Sequence, residues 1–393
     1  MRTQNKKVEN TYSMKKALVL LVSFICYQIV CHAQVMDEHY YFKNLSVQNG
    51  LSQNTVNAIL QDKQGFMWFG TKDGLNRYDG LSFRQFKHDG RSQRSIGNNF
   101  ITALYEDAEG NIWVGTDVGL YIYYPENDSF RHFEELSAEE TKIEHTVTAI
   151  VGDDQGCVWI AVESQGLFCY DLEKEKLQNF TLKNFPFIST NVQSFVFDNS
   201  GTLWIGCYGD GLFYSKDRLK TLQPYISPVD NKETFENDVV TTLVKGAYNC
   251  LYIGSLRGGA KELNLTSNKL HDLLSVDENE EPVLCRNLLV ASDNELSGIY
   301  IYNLRMGKYV HLRSSINDPY SLSDNAVYSL CKDREGGIWI GSYFGGVNYY
   351  PRFYTYFEKY YPKGTDNGLH GKRVREFCQD NQGILWIGTE DGG

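Results

Sequence analysis

Proline is scarce, 8 among 393 residues, and no stretch of ten or more residues repeats apolar side chains at helical spacing. The second absence argues against a helical array, since each helix would need an amphipathic stripe. Catalytic signatures are missing as well. There is no nucleophile elbow, no phosphate loop and no H-E-x-x-H, and no C-x-x-C or paired histidine offers metal spacing. No catalytic residue, metal or cofactor is therefore expected. Basic residues are not clustered and the net charge is −11, which excludes nucleic acid as an expected partner. The nine cysteines do not read as a disulfide framework. Cys26 and Cys31 stand in the N-terminal segment, which leaves an odd seven. Cys331 and Cys378 share one position, and Cys157 and Cys250 another, as small buried strand residues would.

Long apolar runs are absent but for one. Lys15 and Lys16 precede Ala17–Val30, and Cys31-His32-Ala33 supplies a small residue before Gln34. Fourteen apolar residues fall short of a bilayer, so residues 1–33 read as a signal peptide, with Met14 an alternative start. Its removal leaves 33 basic against 48 acidic side chains, a net −15.

What the chain does have is one motif, repeated. Its skeleton is D-x-x-G-x-x-W-x-G-[ST]-x-x-G-[LV], first met as Asp62, Gly65, Trp68, Gly70, Thr71, Gly74 and Leu75. It returns around Trp113, Trp159, Trp204, Trp339 and Trp386, and these six are every tryptophan in the chain. The intervals from Trp68 onward are 45, 46 and 45 residues; Tyr252 follows after 48, Trp339 after a further 87, and Trp386 after 47. Leu289 is expected to mark a degraded copy inside the long interval. A period of about 40–50 residues with strand-like content predicts propeller blades of four strands.

Each motif residue has a predicted task. An apolar residue stands twelve before the Trp position (Val56, Ile101, Val147, Val192, Val240, Val327, Val374) and opens a short first strand. Asp and the following Gly make a tight turn. The next strand, apolar at successive positions, suits burial on both faces. The Trp is the wedge between adjacent blades, and Trp204→Ala is expected to cost roughly 3–5 kcal/mol. The fold expected is all-β: a seven-bladed β-propeller of four-stranded antiparallel blades over 38–352, with motifs at Trp68, Trp113, Trp159, Trp204, Tyr252, Leu289 and Trp339.

The repeat resembles the two component regulator propeller repeat, and Tyr41–Gly80 resembles the start of sensor ectodomains in Bacteroides-type hybrid two component systems. The resemblance implies a periplasmic sensor that binds glycan breakdown products and regulates polysaccharide-utilisation genes. It further implies a kinase, a membrane segment and a possible homodimer in the full-length form; none of these is encoded in the residues present, which are not expected to be enzymatic. Residues 353–393 read as the first strands of a truncated second propeller, because Asn367-Gly368-Leu369 and Val374 repeat the pattern of Asn49-Gly50-Leu51 and Val56. On that reading Tyr40–Leu45 supplies the last outer strand, beside Gly346–Tyr350.

Ligand contact is expected on the loops between second and third strands. Those loops vary while the frame repeats. Tyr208, Tyr343 and Phe344 would stack on sugar rings, with Asp73, Asp210 and Arg257 bonding hydroxyls, and Lys72 and Asp117 are further candidate contacts on the same loops. The rival readings are a propeller glycosidase or lyase, which needs a facing carboxylate pair, and a protein-interaction scaffold.

Overall fold

The computed structural model describes residues 40–136, 142–180, 191–226, 235, 237–292, 295–297, 300–352, 361–362, 368–371 and 373–391. Residues 1–33, read above as a signal peptide, lie outside them. The described chain is all-β apart from two short 3-10 turns, Val47–Asn49 and Phe133–Glu135. It forms a propeller of four-stranded antiparallel blades.

Six sheets share one build. The first runs through Val56–Gln61, Met67–Thr71, Gly74–Tyr78 and Phe83–Phe86, each strand pairing with the next. The second, third, fourth and fifth sheets open at Ile101, Val147, Val192 and Val240 and repeat that order. The seventh opens at Val327. In all six the second strand is buried at every position, as an apolar run covered on both faces should be. The strand starts predicted from the apolar residue twelve before the Trp position are those observed.

The remaining four-stranded sheet is leaner: Leu289–Ser292, Glu295–Ser297, Tyr300–Asn303 and Lys308–His311. Here one expectation is corrected. Leu289 does not stand at the Trp position of a second strand; it opens the first strand and pairs with Ser297. Only two residues separate these strands, too few for a D-x-x-G turn, and the apolar run taken for a second strand is the first.

The tryptophans wedge between sheets. Trp68 lies within 5.3 Å of Tyr123, and Trp113 within 5.9 Å of Tyr170, both on the following sheet. Trp159 meets Phe197 at 5.6 Å, and Trp339 meets Phe69 of the first sheet at 5.5 Å. Glycine two residues after the Trp makes room for this packing. A Cβ at Gly70 would lie 2.6 Å from Ile101 Cγ2, and one at Gly115 would lie 2.6 Å from Val147 Cγ1. Each is the residue that opens the next sheet. Two motif positions therefore touch, a contact invisible in the repeat itself.

The seventh sheet is completed from the far end of the sequence. Lys43–Leu45 runs antiparallel to Val347–Tyr350, with Lys43 opposite Tyr349, Asn44 opposite Asn348 and Leu45 opposite Val347. Leu45 is buried, and Phe42 packs 5.7 Å from Tyr350. The predicted closure by the N-terminal strand is the one seen.

The last repeat forms a two-stranded hairpin, Val374–Gln379 with Leu385–Thr389. Its Trp386 is 61% exposed, whereas Trp68 and Trp113 are 1% exposed. Cys378 on this hairpin is exposed, contrary to the buried position expected of it. Its sheet has no third strand among the described residues to cover it. Of the other six cysteines, five are buried and Cys331 is half-buried, and all are free thiols. Burial pushes the Cys207 and Cys285 thiols up to about 12, so neither is a ready nucleophile.

Candidate functional site

The stems of the second-to-third strand loops are set by the motif. Thr71 Oγ1 donates to Gly74 O at 2.8 Å, and Asp73 N donates back to that hydroxyl at 3.1 Å. Gly74 has φ +119, a region that disfavours side chains. Only Lys72 and Asp73 remain to cross the gap. One backbone bond then recurs from sheet to sheet: the first loop residue donates to the carbonyl just before its first strand. Lys72 N bonds Thr55 O, Asp117 N bonds Phe100 O, Tyr208 N bonds Asn191 O, Leu256 N bonds Val239 O, and Tyr343 N bonds Ala326 O. Loops and sheet-to-sheet connections thus share one face of each sheet, as expected.

On that face the structure brings part of the predicted set together. Lys72 Nζ lies 2.9 Å from Tyr343 Oη and 4.2 Å from the centre of the same ring. Phe344 packs edge-on to Tyr343 at 4.5 Å and is 73% exposed. Three residues that the loop reading missed extend this row. Tyr328 stands 5.1 Å from Tyr343, the Arg286 guanidinium lies 5.1 Å from Tyr328, and Phe100 lies 5.7 Å from Lys72 Nζ. Their signal was positional. Tyr328 is the second residue of a first strand, and Phe100 and Arg286 lie in connections between sheets.

Asp73 does not face the row as a free acceptor. Lys87 Nζ holds it at 2.5 Å and Asn99 donates to it at 3.2 Å. Asp117 sits on the neighbouring loop, its Oδ1 shielded from solvent and without a hydrogen-bond partner.

Tyr208, Asp210 and Arg257 form a separate group on the fourth and fifth sheets. Buried Asp238 links them: its Oδ1 accepts from Arg257 N at 3.1 Å, and its carbonyl accepts from Gly209 N at 3.0 Å. Tyr208 is 56% exposed.

A cavity of about 230 Å³ opens beside Arg286, lined by Leu284, Cys285, Tyr300, Tyr302 and Val327 among others. Elsewhere Asp277, Glu278 and His311 approach closely enough to hold a cation. Arg313 already occupies that role, with its guanidinium 2.5 Å from Glu278 and 3.2 Å from His311 Nδ1. The cluster is already bridged by a side-chain cation.

Repeated tight turns, wedge tryptophans and four-stranded antiparallel sheets define a repeat β-propeller. The family model for the two component regulator propeller matches residues 50–73, 95–118, 186–209, 321–344 and 368–391. The extracellular domain assigned to a hybrid two component system of B. thetaiotaomicron is similar over 90% of this chain, at 26% identity and a TM-score of 0.72. A second such domain from that organism is 21% identical over 89% of the chain, with a TM-score of 0.66, and shares the fold. Histidine kinase P4 of Formosa agariphila is 36% identical over 78 residues. The chain spans 47% and 45% of the two solved domains and 5% of the kinase.

Proposed function

We propose that this chain is the extracytoplasmic ligand-sensing propeller of a two component sensor, in the periplasm, and that it binds an oligosaccharide without turning it over. Polysaccharide-utilisation genes would be the regulated output. The carrying observation is the row of half-buried Tyr328 and Tyr343 and exposed Phe344, held beside Lys72 on the loop face. Flat apolar rings flanked by polar groups suit sugar rings, which present a C–H face and a hydroxyl edge. We read the six full sheets and the leaner one as seven blades of one ring, with a second propeller beginning near residue 353.

Calorimetric titration of the purified chain against a panel of plant and algal oligosaccharides tests the reading. Tyr343→Ala and Phe344→Ala are each expected to weaken binding about tenfold, the usual cost of truncating an aromatic anchor. Their melting temperatures should match the parent. Cleaved or unsaturated products would instead favour a glycosidase or lyase. Binding that ignores both substitutions would remove the row from the site.

A further inference from the structure

We propose that the loop-face row selects an acidic oligosaccharide, one carrying uronate carboxylates or sulfate groups. The proposal rests on the oligosaccharide reading above and deepens it. Along the row, two cations are interleaved with three rings: Arg286 on Tyr328 at 5.1 Å, Tyr328 beside Tyr343 at 5.1 Å, Lys72 on Tyr343 at 4.2 Å, and Phe100 beyond it at 5.7 Å. Lys72 and Tyr343 are 271 residues apart in sequence and meet only because the first and seventh sheets are neighbours.

Neither cation has a carboxylate within ion-pair distance among the described residues. Two nearby carboxylates are already committed, and that of Asp117, on the neighbouring loop, is shielded from solvent at Oδ1. Asp73 is held by Lys87 and Asn99, and Asp324 accepts from Ala326 N at 3.1 Å and Phe344 N at 2.8 Å. Two positive charges are therefore held against aromatic faces, Arg286 exposed and Lys72 half-buried, with no protein acid paired to either among the described residues. An arriving carboxylate or sulfate would gain charge-assisted hydrogen bonds there without displacing a protein acid.

The setting sharpens the choice. The chain as a whole carries −11, so an acidic ligand is repelled from most of its surface. On the loop face itself, the position held by Lys72 in the first sheet is Asp117 in the second and Glu163 in the third. The two ring-backed cations lie in the sector between the connection into the sixth sheet and the first sheet, while Arg257 stands apart on the fifth-sheet loop. That polarity would fix where along the face the charged sugar lies.

The test uses tetrasaccharides of polygalacturonate, alginate and chondroitin, each paired with its carboxyl-reduced or desulfated form, titrated into the whole chain. The best acidic member is expected to bind at least tenfold more tightly than its neutral partner at 50 mM salt. That ratio should shrink at 500 mM salt and fall below threefold in Lys72→Gln/Arg286→Gln, while Lys72→Arg keeps most of it. Circular dichroism melting checks that the double variant is folded. If acidic and neutral forms bind alike, or if the ratio survives the double substitution, the acidic preference is overturned and oligosaccharide binding stands. If no saccharide of either form binds, both proposals fall together.

Discussion

Asp198 performs two tasks with one carboxylate. Oδ1 accepts from Ser200 N at 2.8 Å and Thr202 N at 3.0 Å, which shapes the turn, while Oδ2 accepts from Trp204 Nε1 at 3.0 Å. The same indole bond recurs from Trp68 to Asp62, Trp113 to Asp107, Trp159 to Asp153 and Trp339 to Asp333. Where Tyr252 replaces Trp, Gly246 replaces Asp, so the two positions change together. The sequence made the turn and the wedge legible separately. Their bond was hidden, because only the folded register brings residues six apart face to face. Burial works to raise the Asp198 pKa, but the hydrogen bonds from Ser200 and Trp204 outweigh it and the net shift is downward from 3.8. A folded-state pKa below the unfolded one stabilises above that value and is lost as pH falls through the lowered one. Asp198→Asn should therefore lose about 1–3 kcal/mol at pH 5 and much less at pH 2.5. Urea midpoints at the two pH values measure this, with Trp204→Ala at about 3–5 kcal/mol as the reference.

At the scale of the strand, every full sheet opens with the same irregularity. Pairing slips between Val56 and Ala58, Ile101 and Ala103, Val147 and Ala149, and the equivalents in the other sheets. The skipped residue turns its side chain toward the next sheet: Asn57 donates to Ile101 O at 2.8 Å, and Thr102 to Val147 O at 2.6 Å. The strand starts could be read from periodicity, but these bulges could not, because a bulge changes pairing and leaves composition untouched. The row was half legible for a similar reason. Lys72 and Tyr343 announce themselves as loop residues, whereas Tyr328 reads as an ordinary strand residue until its neighbour is known. The close approach at Gly70 yields a further expectation. Gly70→Ala should cost about 1–3 kcal/mol by overpacking against Ile101. Ile101→Val in that background should recover part of the loss, giving a non-zero coupling in a double-mutant cycle.

Across the whole molecule, the first and seventh sheets meet through side-chain and backbone bonds. Thr55 Oγ1 donates to Tyr343 O at 2.6 Å, Ser329 Oγ to Val56 O at 2.9 Å, and Gly346 N to Asn54 O at 3.0 Å. Lys43–Leu45 adds a covalent crossing of that junction, since the chain runs on from it into the first sheet. Leu45→Ala is expected to remove about 2–5 kcal/mol. Because the ring shares its packing around the junction, the loss should move one thermal transition as a unit, monitored in parallel by fluorescence and circular dichroism. Two separated transitions would show that the seventh sheet melts by itself.

The orientation of that last pairing has a mechanical side. Lys43 lies opposite Tyr349 and Leu45 opposite Val347, so the polypeptide enters and leaves the pair at the same end. Tension drawn between the two flanking segments would not load all three pairs in parallel, as a shear geometry does. It would peel them one after another from Lys43 inward to Leu45, each resisting alone. This closing pair is thus the seam expected to part first under a pull between those segments.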